Sequence, residues 1–107
     1  MSNTTLISLV AHECRTACKD ETTLEGRVAK AMKAAKHHWM VTDENEQFHG
    51  AVCAIYELSD EVTQERIKAE LDSLRYLSAL MSGVEVDIEK VPKLENAIGL
   101  MKAFNEA

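Results

Sequence analysis

Only four glycines and one proline interrupt 107 residues. Strand-rich folds place these residues at frequent tight turns, so a chain this poor in them runs in long segments with few connections. Ala, Leu, Glu, Lys and Met fill those segments, and all are good helix formers. The length allows one domain with a real core and leaves no room for a second. The expectation is therefore an all-α, single-domain bundle of about five short helices spanning 1–107.

Helical periodicity places the elements. At roughly 100° per residue, Leu6, Ile7, Val10, Ala11, Cys14, Ala17 and Cys18 share one face, which predicts a first helix over residues 5–19. Thr22 and Glu25 have capping-box spacing and open a second helix, 23–40, whose buried stripe reads Leu24, Val28, Ala31, Met32, Ala35 and Trp39. Asp43 and Glu46 repeat the capping pattern before a third helix, 44–58, carrying Phe48, Val52, Ile55 and Tyr56. Ser59 caps the longest segment, 60–82, with Ile67, Leu71, Leu74, Leu77 and Met81 as its seam and Gly83 as its left-handed stop. Val84, Val86 and Ile88 then alternate with Glu85, Asp87 and Glu89, so 84–89 reads as a short extended segment, either linker or edge strand. Pro92 is expected to start a last helix, 92–105, with Leu94, Ala97, Ile98, Met101 and Phe104 facing inward.

Charge divides the chain unevenly. Residues 1–42 carry a net +2 and residues 43–107 a net −8, giving −6 in all. Within the second segment, residues 26–41 hold four Lys or Arg and two His with no acid. On the wheel Lys30, Lys33 and His37 lie opposite the apolar stripe. The row is a solvated face, or it is complemented by acids of the fourth or fifth helix within the monomer or across an oligomer, or it receives an anion. The anion-binding candidates are Arg27, Lys30, Lys33, Lys36, His37 and His38, with a phosphorylated small ligand or nucleic acid as the guest. An overall acidic charge argues against extended duplex DNA.

Other chemistry is thinly represented. In "HECRTAC" the two cysteines fall on the buried stripe and His12 points away from them, so they read as core residues rather than metal ligands. Glu46, His49 and Cys53 share one side of the third helix and are the weak metal candidates, but a single Glu-x-x-His motif lacks the further ligands of a di-iron bundle. No glycine-rich phosphate loop, nucleophile elbow or His-Glu-x-x-His motif occurs, and neither catalysis nor a cofactor is expected. Three cysteines without paired spacing, and a short N-terminal apolar run broken by Ser8, point to the cytoplasm, with no membrane span.

The functional expectation is a small acidic interaction module, an adaptor, inhibitor or regulatory subunit, that binds a macromolecular partner or itself. Its candidate partner-binding acids are Glu61, Glu65, Glu70, Asp72, Glu85, Asp87 and Glu89. They would meet a basic surface and speed encounter, while apolar anchors supply affinity.

Overall fold

The computed structural model describes residues 3–94 and 96–107, which form five α-helices and no strand. These are α1 (Asn3–Cys18), α2 (Leu24–Lys36), α3 (Glu44–Glu57), α4 (Glu61–Met81) and α5 (Leu100–Glu106), with one 3-10 turn at Ile88–Lys90. The all-α expectation holds. No helix among the described residues is long and apolar enough to cross a membrane.

Side-chain caps start the middle helices. Thr23 Oγ1 accepts from the Gly26 amide at 3.0 Å, Asp43 Oδ1 from Glu46 at 3.1 Å and Asp60 Oδ1 from Thr63 at 2.8 Å, each satisfying an amide that the helix leaves unpaired. Asp43 is the expected cap. The other two lie one residue beyond the expected Thr22 and Ser59, and the Ser59 hydroxyl instead donates to the Ile55 carbonyl at 2.6 Å. Helix α4 stops as predicted at Gly83. Its φ of +80° lets the Gly83 amide reach Leu80 O and the Val84 amide reach Ala79 O, a Schellman closure.

The chain divides into two compact units, Met1–Ser59 with Leu100–Ala107, and Asp60–Gly99. In the first, α1, α2, α3 and α5 pack around Val10, Cys14, Met32, Ile55 and Leu100, all fully buried. Gly50 lets α3 approach α1 closely, since a Cβ there would lie 2.5 Å from Val10 Cβ and Cγ1. Phe48 and Phe104 meet edge to face, with ring centres 5.6 Å apart. Lys36 secures α5: its Nζ donates to Phe104 O at 2.8 Å and Asn105 O at 3.3 Å, and lies 4.9 Å from the Phe104 ring centre.

Helix α2 ends four residues earlier than the wheel predicted. His38 Nδ1 accepts from the amides of Met40 and Val41 at 3.1 and 3.0 Å, which bends the chain into a turn. Val41 is thereby buried, and Gln47 Nε2, itself buried, donates to its carbonyl at 2.9 Å. Val41 takes the core position expected of Trp39, which is 75% exposed.

In the second unit the predicted helix over 92–105 is absent from its first turns. Asn96 and Gly99 both have left-handed backbone, at φ +61° and +78°, which a right-handed helix cannot include. The turn is gripped from α4. Arg66 Nε donates to Asn96 O at 2.7 Å, and the Glu70 carboxylate accepts from the amides of Ile98 and Gly99. Between α4 and that turn, 84–89 shows no strand: it runs as a linker and ends in the 3-10 turn, where the Glu89 amide donates to Asp87 Oδ1.

Candidate functional site

Each unit presents a surface with more than ordinary solvated polarity. In the first, an open groove of about 550 Å³ lies along α1 and α2. It is lined by Glu13 and Thr16 from α1, Lys30 and Lys33 from α2, and the 37–39 segment that follows. The turn made by His38 puts Trp39 here. The two rings stack, 5.8 Å between centres and 21° between planes, so a backbone-anchored imidazole braces an exposed indole.

The predicted basic row does not act as one set. Lys30 Nζ pairs with Glu21 at 3.0 Å, so the acid missing from 26–41 comes from just ahead of α2, not from the fourth or fifth helix. Lys36 is committed to the end of α5, where an ammonium complements the carbonyl-rich helix terminus. Arg27 is half-buried with its Nε enclosed, and lies close enough to Cys18 to pull that thiol down against the upward push of burial. His38 uses Nδ1 as an acceptor, and its Nε2 is enclosed. Lys33 and His37 remain exposed on the groove.

In the second unit the seam of α4 is covered only in part. Ile67 and Glu70 are buried, whereas the same face further along carries Leu77 and Met81 in solvent, Met81 at 83% exposure. Leu80 stands exposed beside them, and Val84 and Ile88 follow in the linker, also exposed. No charge occurs between Tyr76 and Val84. Glu85, Asp87 and Glu89, all exposed, come directly after.

No family model, curated protein or solved structure matches this chain.

The candidate acids separate by environment. Glu61 is exposed in the first turn of α4, Glu65 pairs with Lys68 at 3.2 Å, and Asp72 lies 3.9 Å from Arg75, all on the surface. Glu70 does not belong with them. It is buried, and its carboxylate is occupied by backbone amides, so it shapes the 96–99 turn rather than meeting a partner. The trio Glu46, His49 and Cys53 does not converge: among the described residues no group of three or more His, Cys, Asp or Glu is placed to hold a metal ion. Cys14 and Cys18 are buried free thiols, as expected. Burial pushes Cys14 up to about 12, and its Sγ donates to Ala31 O at 3.2 Å.

Sequence reasoning assigned Trp39, Leu77 and Met81 to the core. Leu77 and Met81 fit a seam and Trp39 fits a stripe, because the wheel records periodicity and not what covers it. One signal was present for α4. The uncharged run Tyr76–Val84 is longer than a single buried face requires.

Proposed function

We propose that this protein is an interaction module that docks a basic amphipathic segment of another protein on the second unit. The apolar residues Leu77, Leu80, Met81, Val84 and Ile88 act as anchors, and Glu85, Asp87 and Glu89 orient the guest. The observation that carries this reading is the exposed continuation of the α4 seam beyond Ile67. Burying one such side chain on association is favourable by about 1.5–3 kcal/mol, so a few suffice for specific binding. The adjoining carboxylates favour a guest with Lys or Arg beside its own apolar ridge and disfavour an acidic one. Binding rather than catalysis is the activity, in a regulatory or adaptor role. Three free cysteines fit a reducing compartment such as the cytoplasm.

Titration of the intact protein with two synthetic amphipathic helices, alike in apolar face but lysine-rich or glutamate-rich elsewhere, tests the proposal. The lysine-rich helix should bind and weaken as salt rises, and Met81→Asp should abolish binding. Glu85→Lys with Glu89→Lys should reverse the preference between the two helices. Equal binding of both helices, or full binding by Met81→Asp, contradicts the reading. Sedimentation of the free protein checks whether a second copy closes this face instead; a stable dimer that dissociates in Met81→Asp would replace the basic guest with self-association.

A further inference from the structure

The geometry of the groove along α1 and α2 points to a second activity, independent of the α4 surface. We infer that it binds a nucleotide unit, with the base stacked on Trp39 and the phosphate held by Lys33 and His37.

Exposure of Trp39 is costly unless something uses it, because a large indole ordinarily removes much apolar area from water. With Val41 in the core position, the turn at His38 leaves Trp39 outward on the groove. The indole is also held in place. His38 is fixed by two backbone amides, and its ring stacks against Trp39. A fixed aromatic plane is a platform for another flat ring, and bases of any identity stack on such platforms.

Lys30, Lys33 and His37 line the groove with the platform. Lys30 has Glu21 as its ion partner, but Lys33 makes no ion pair among the described residues and is exposed on the same groove. His37, one helical turn beyond Lys33, closes α2 there and is exposed with it. A phosphate satisfies both without disturbing the Lys30–Glu21 pair. Glu13 is the one acid among the lining residues. It can accept from an exocyclic amine and repels a long polyanion, which favours a single nucleotide unit over a continuous backbone track. A volume near 550 Å³ lies within the range of small-molecule sites, roughly 300–1,000 Å³. The same base and phosphate could come from a free nucleotide or from the end of a single strand.

Trp39 is the one tryptophan of the chain, so its emission reports on the groove directly. The intact protein is titrated with AMP, adenosine, inorganic phosphate and a short oligodeoxyadenylate. AMP should quench the emission saturably, and adenosine or phosphate alone should bind at least about tenfold more weakly. Lys33→Glu should weaken AMP by about tenfold or more with its helical dichroism unchanged, while Lys19→Glu, outside the groove, should leave the curve where it is. An oligonucleotide more than about tenfold tighter than AMP assigns the ligand to a strand end, and comparable affinities assign it to the free nucleotide. The inference is overturned if neither quenches up to about 1 mM, if Lys33→Glu binds like the unaltered protein, or if the emission follows protein concentration alone, which would mean that a second copy fills the groove.

Discussion

A Cβ added at Gly50 would meet two atoms of Val10, a residue with no exposed surface of its own, and would come within 3.1 Å of the Ala11 amide nitrogen. Alanine ordinarily improves a helix interior over glycine by about 1 kcal/mol, but overpacking a closed core costs about 1–3 kcal/mol. Gly50→Ala should therefore destabilise the protein by up to about 2 kcal/mol in urea unfolding, and a gain in stability would mean that α1 and α3 are not in close contact. Thiol chemistry is set at the same scale. Cys14 is neutral in the fold because burial lifts its thiol from the ordinary 9.0 to about 12. Unfolding lets it ionise near 9, so its contribution to stability is complete below pH 9 and is lost progressively as the pH rises toward 12. Alkaline unfolding curves should show this loss, and Cys14→Ala should flatten it. Under native conditions a thiol reagent should modify Cys53, the exposed cysteine, first, and reach Cys14 and Cys18 only on unfolding.

Elements here begin where a side chain supplies a cap and end where one captures the backbone. Glu70 is the clearest case, since it takes up two amides of the turn that delays α5 to Leu100. Glu70→Ala leaves those amides without their acceptor and should cost about 2–3 kcal/mol, whereas Glu70→Gln, which keeps an oxygen, should cost less. Amide exchange at Ile98 and Gly99 should accelerate in the alanine variant; unchanged protection there would refute the role. This is also where the sequence stopped being legible. Helices α1, α3 and α4 were readable within two residues at each end, because periodicity and nearby hydroxyl or carboxyl caps are local signals. Pro92 gave a local signal too, but it was overruled from 22 positions away in the chain by Glu70, which no local reading can weigh. Trp39 failed for a related reason: whether it or Val41 enters the core depends on a His38 hydrogen bond and on Gln47. The basic row was legible as a face of α2, but its division into paired Lys30, structural Lys36 and exposed Lys33 was not, because each partner lies off the helix.

Across the whole molecule, both proposals rest on what each unit leaves uncovered. The first unit buries its apolar stripes among α1, α2, α3 and α5 and leaves a cationic groove with a tryptophan. The second buries the start of the α4 seam and leaves its end in water, followed by acids. With a net charge of −6, long-range attraction favours a basic partner and disfavours polyanions, which supports the proposed docking of a basic segment on α4 and, in the proposed groove site, a small guest over a polyanion. The methyl resonances of the five methionines, followed as the lysine-rich amphipathic helix is added, test the central claim most directly. Met81 should shift saturably while the core residue Met32 stays put. A Met81 signal that does not move when the helix is bound, or one that moves equally with the glutamate-rich helix, would contradict it.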